Sequence, residues 1–173
     1  MIQNYNTYKI LRVFFDCPTK KFQLREISRL TNLGMPSVIN HVKKLEKEGF
    51  IKKINGGVYE SYISNKTEEF KLYKRNDILI RLQKSGLIEF LVDTFIPDTI
   101  VLFGSASRGE DIEESDIDLF IVAKEKEIDL KDFGKCLKRN ISIHFEEKIS
   151  DVPKELLNNI ANGVVLYGYL RVT

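Results

Sequence analysis

The chain has 173 residues, 43% hydrophobic and 30% charged, which allows one good core or two small domains. Its first residues, Met1-Ile2-Gln3-Asn4-Tyr5-Asn6, lack the charged and apolar regions of a signal peptide, and no segment is long enough to span a bilayer. No membrane partner and a cytoplasmic location are therefore expected. Residues 1–64 hold 11 Lys/Arg against 5 Asp/Glu, whereas residues 65–173 hold 16 against 20. A basic front and an acidic back suggest two units with different partners. Cys17 and Cys136 lie far apart without a CxxC, so buried free thiols are expected.

From Asn6 to Cys17, Tyr8, Ile10-Leu11 and Phe14-Phe15 recur at helical spacing, with Pro18 beyond the end. A second helix is predicted from about Gln23 to Leu30, with Leu24, Ile27 and Leu30 on one face. The turn Thr31-Asn32-Leu33-Gly34 leads to a third helix, Pro36 to Glu48, whose apolar positions are Val38, Ile39, Val42 and Leu45. Phe50 to Ile54 and Val58 to Ile63 then read as strands joined by Asn55-Gly56-Gly57, a strong hairpin signal.

Two short helices about a tight turn followed by a hairpin resemble a winged helix-turn-helix domain of the broad bacterial and archaeal regulator type, over residues 1–64. The run LREISRLTNLGMPSVINHVKKLEKEGFIKK carries the resemblance. It implies that Ser37, Asn40, His41 and Lys44 face the major groove of double-stranded DNA, with Lys43 nearer a phosphate. Lys52, Lys53 and Asn55 would sit on the wing. It also implies a homodimer, because such regulators read paired half-sites. The reading helix holds no Arg, the usual bidentate partner of guanine, so base specificity is expected to be weak or carried by a dimer.

Residues 65–96 are predicted to form a helical linker. Asn65 with Glu68 makes a capping signature, a helical pattern runs to Ser85, and a second helix spans Leu87 to Phe95 before Pro97.

In residues 97–173, Ile100-Val101-Leu102-Phe103 reads as a buried strand ending in a Gly104-Ser105 turn. An acidic loop leads to a second strand with Asp116 and Asp118 two residues apart, hence on one face. Gly104 permits close approach of a phosphate, and Ser105 with nearby backbone N–H groups can hold phosphate oxygens. Asp116 and Asp118 are hard oxygen ligands suited to Mg²⁺ or Mn²⁺.

The run IVLFGSASRGEDIEESDIDLFIV resembles the signature of minimal nucleotidyltransferases of the polymerase-β superfamily, with Arg108 and Ser115 also agreeing and NGVVLYGYL looking like their closing segment. An α+β fold is implied: a winged helix, a helical linker, and a mixed sheet with helices packed on one face. The implied ligand is an NTP, ATP in the first instance, with Gly104, Ser105, Arg108 and Ser115 as its contacts.

Active members of that family also carry a third carboxylate on a neighbouring strand. Here that strand is Ile141-Ser142-Ile143-His144-Phe145-Glu146, where Ser142, His144 and Glu146 share the face away from the core. Three readings stay open. Glu146 substitutes, His144 serves as base or ligand, or the site binds nucleotide without efficient transfer. Three functions follow: transfer of a nucleoside monophosphate to a hydroxyl of a protein, RNA or small molecule; a DNA-binding regulator that senses nucleotide or a partner protein; or an antitoxin-like role.

Overall fold

A computed structural model describes residues 5–54 and 59–171, and the chain divides into two compact units, Met1–Lys74 and Arg75–Thr173. In the first, α1 (Asn6–Asp16) buries Ile10, Leu11, Phe14 and Phe15 on one stripe. A two-residue strand β1 (Phe22–Gln23), not anticipated from the sequence, precedes α2 (Leu24–Thr31). Asn32 ends α2 in the left-handed region at φ 54°, a conformation that Asn tolerates better than most residues. Leu30 does not join the core as expected; it is 59% exposed, while Ile27 is fully buried.

The third helix, α3 (Met35–Lys47), carries Pro in its first turn and buries Val38, Val42 and Leu45. Gly49, at φ 81°, then turns the chain into β2 (Ile51–Ile54), which pairs antiparallel with β3 (Ser61–Ser64). Phe22 of β1 pairs with Tyr62, giving the sheet order β1-β3-β2. The expected turn Asn55-Gly56-Gly57 and the strand start at Val58 lie outside the described residues. Edge-to-face contacts of Phe14 with Phe22 and of Phe15 with Phe70 fix the core. The helix that supplies Phe70, α4 (Glu68–Lys84), continues past the division between the units.

In the second unit, the end of α4 and α5 (Leu87–Phe95) supply Ile78, Leu82, Leu87 and Leu91 to one core. The sheet has the order β6-β5-β4-β7, built from β4 (Thr99–Phe103), β5 (Ile117–Val122), β6 (Ile141–Glu146) and β7 (Val164–Gly168). β5 runs parallel to β6 and antiparallel to β4, and β7 is antiparallel to β4. The parallel pair needs a crossover, which α6 (Lys131–Leu137) provides.

Strand alternation explains the layering. Ile100, Leu102, Ile117, Leu119 and Ile121 face the core shared with α5 and α6. Val101, Phe103, Phe120 and Val122 face the other way, where Val152 and, from α7 (Lys154–Ala161), Ile160 cluster with them. The expectation of helices on one face is thereby corrected: β5 is apolar on both faces, and α7 covers part of the second. Burial of both thiols is corrected as well, since Cys17 is half-buried and Cys136 exposed.

Candidate functional site

At the end of β4, a fully buried strand, the chain turns at Gly104 with φ +70°. Ser107, itself buried, donates its hydroxyl to the Gly104 carbonyl at 2.8 Å, and the Arg108 and Glu110 N–H groups both reach the Ser105 carbonyl. These bonds shape a tight 3-10 turn over Ala106–Arg108. A Cβ on Gly104 would collide with Oδ2 of Asp118 and lie 3.2 Å from its Cγ. Strand register explains the contact, because Phe103 pairs with Asp118. Asp118 is also the one polar residue of β5.

Asp116 lies one residue before β5 rather than within it, and it is exposed. The loop before it is pinned twice. Ser115 accepts the Ile112 N–H on its hydroxyl at 2.9 Å and donates its own N–H to the Ile112 carbonyl. Asp111 pairs with Arg139 at 3.7 Å, both largely buried. Ser115 is therefore committed to the loop. Arg108 is exposed and held by Glu110 at 2.9 Å.

The Asp118 carboxyl is raised above its ordinary range, first by burial and next by the negative charge of Asp116, while His144 opposes the rise. Asp116, Asp118 and His144 thus form one electrostatic group. In the parallel register Asp118 pairs with Ser142, Phe120 with His144, and Val122 with Glu146. Ser142 accordingly stands beside Asp118, whereas Glu146 is four residues further along, roughly 13 Å at the rise of a strand, and is not brought to the two aspartates. His144 is exposed, and its ring meets Phe103 edge-on at 5.5 Å between centroids.

Among the described residues no three His, Cys, Asp or Glu side chains converge to hold an ion by themselves. Two neighbouring carboxylates that repel each other nevertheless fit a hard divalent cation completed by water and phosphate oxygens. Beside Ser115 opens a cleft of about 710 Å³, whose lining includes Glu113 and Glu114 together with Lys131, Lys135 and Lys138. Neither this cleft nor the Asp111–Arg139 pair was legible in the sequence, because both depend on where the crossover through α6 returns.

In the first unit, the proposed reading face separates into two sets. Ser37 accepts from the Asn6 side chain at 3.4 Å, and His41 Nδ1 lies 2.8 Å from the Thr7 hydroxyl, so both are turned toward α1. Asn40, Lys43 and Lys44 are exposed, with Lys44 3.9 Å from Glu48. On the hairpin Lys52 is exposed, whereas Lys53 pairs with Glu60. That hydrogen bond raises the Lys53 ammonium and lowers the Glu60 carboxyl from their ordinary ranges. Asn55 lies outside the described residues.

No helix among the described residues is long and apolar enough to cross a membrane. No curated protein and no solved structure matches the chain. Residues 85–169 match the family described as Polymerase beta, Nucleotidyltransferase, and that span contains the Gly-Ser turn, both aspartates and β6. Residues 85–169 therefore carry a nucleotidyltransferase domain of the polymerase beta family.

Proposed function

We propose that the C-terminal unit binds a nucleoside triphosphate, ATP in the first instance, with Mg²⁺ or Mn²⁺ and transfers its nucleoside monophosphate to a hydroxyl acceptor. The observation that carries this reading is the packing of Asp118 against the bare α-carbon of Gly104, with Asp116 close enough to repel it. A phosphate-binding turn and a cation-binding carboxylate pair are thereby one structure. Asp116 and Asp118 would hold the cation. When bound, it would orient the α-phosphate and neutralise the departing pyrophosphate. Gly104 leaves room for phosphate oxygens, and the Ser105 hydroxyl, which makes no hydrogen bond among the described residues, is available to them. Arg108 reaches the triphosphate only by releasing Glu110, an exchange that costs little for an exposed pair.

The N-terminal unit we read as a winged helix that binds double-stranded DNA. Its support is the sequence of three helices and a hairpin, with β1 closing the sheet, and the exposed Asn40, Lys43, Lys44 and Lys52. A chain joining the two would be a regulator as readily as a transferase, and Ser142 beside Asp118 favours that second reading. ATP with Mg²⁺ should raise the melting temperature of the wild-type chain and not that of Asp118→Asn. Labelled ATP should then mark an acceptor in cell extract. A thermal shift without transfer supports the sensor, and no shift at all sinks both.

A further inference from the structure

We propose that His144 is a nucleophile, taking the nucleoside monophosphate onto its imidazole before any hydroxyl acceptor receives it. This rests on the nucleotide-binding reading above and adds a covalent intermediate to it. The row that faces Asp118 holds Ser142 and no carboxylate, and Glu146 stands opposite Val122. Nothing in that row can draw the proton from an acceptor hydroxyl as a carboxylate would.

His144 occupies the same face of the sheet as Asp118, two residues beyond Ser142 on an edge strand, and is exposed. Its ring reaches across β5 to Phe103, the residue just before Gly104, and influences the Asp118 carboxyl. The imidazole thus packs on the residue that leads into the turn and lies within electrostatic reach of Asp118. Neither ring nitrogen makes a hydrogen bond among the described residues, which leaves a lone pair uncommitted. A neutral imidazole attacks phosphorus without first losing a proton, so the missing base ceases to matter for this step.

The unprotonated ring nitrogen attacks the α-phosphorus of the NTP. A P–N bond forms, the bond to the bridging oxygen breaks, and its electron pair leaves with pyrophosphate. An acceptor hydroxyl then attacks the same phosphorus; the P–N bond breaks, its pair returns to the ring, and the hydroxyl proton passes to solvent. The other ring nitrogen keeps its hydrogen throughout.

The test uses the full chain with Mg²⁺ and ATP labelled at the α-phosphorus, without acceptor. The expected adduct is acid-labile, stable to alkali, and maps to the peptide containing His144. His144→Gln should lower the label roughly 100-fold or more while keeping the wild-type melting temperature and its rise with ATP and Mg²⁺. A thermal rise with no adduct would overturn the nucleophile and leave nucleotide binding standing. Undiminished label in His144→Gln, or label stable to acid, would also overturn it. Neither rise nor label would remove the nucleotide reading and this inference together.

Discussion

The Asp118 carboxylate occupies the space that a side chain on Gly104 would need, with its Cγ 3.2 Å from that Cβ position. A Gly104→Ala variant meets two obstacles, the positive φ and the collision with Oδ2. It should lose about 1–3 kcal/mol of stability and displace Asp118 from its place. Thermal unfolding would show the first effect, and loss of the rise with ATP and Mg²⁺ the second. A variant with wild-type stability would refute the packing.

Asp118 is held at a cost, since burial and Asp116 both push its carboxyl upward. A group whose pKa is raised on folding stabilises the protonated folded state, so its contribution is full at low pH. That contribution is lost as pH rises through the shifted carboxyl range. Without added metal, the second unit should therefore lose some stability over that range, and Asp118→Asn should flatten this part of the pH profile. The same variant should be at least as stable as wild type at neutral pH and insensitive to Mg²⁺. Unfolding curves from pH 4 to 8 would check this, and a destabilised Asp118→Asn would count against it.

Ser142 is the register partner of Asp118, so Ser142→Asp places a third carboxylate beside the pair. Added repulsion should lower stability without metal by roughly 1 kcal/mol. It should also lower the Mg²⁺ concentration that gives the half-maximal thermal shift. Glu146→Gln, opposite Val122, should leave that concentration unchanged. Equal responses in the two variants would mean that the register does not govern the site.

On the proposed DNA face, each of Lys43→Ala and Lys52→Ala should reduce the salt dependence of binding by about one unit of slope. His41→Ala should behave differently. Its contact with Thr7 makes it a brace of the helical core, so stability should drop by about 1 kcal/mol with little change in salt slope. Salt titrations with a short duplex, alongside melting curves, would separate the two classes.

Much of this fold was legible because periodicity reports burial. The stripes of α1 and α3, and the buried strand before Gly104, follow from residues close in the chain. β1 was not legible, since two residues become a strand only through pairing with Tyr62 and Ser61, some forty positions later. Leu30 misled because its spacing from Ile27 fits a helix face, yet only Ile27 and Leu24 of that face pack into the core and Leu30 stays 59% exposed. At the site, Gly104, Asp116 and Asp118 announced themselves by type and spacing. Choosing among Ser142, His144 and Glu146 required the register across a parallel pair, which strand alternation alone does not supply.

Ser107 spends its buried hydroxyl on the Gly104 carbonyl, so the turn has its final shape before any ligand arrives. If the turn holds a phosphate as proposed, that phosphate would meet a wall already shaped by this bond instead of a loop that must first be ordered. Association there should be fast, limited by encounter and by the charge of the aspartates, and discrimination among nucleotides should fall to surfaces beyond the turn.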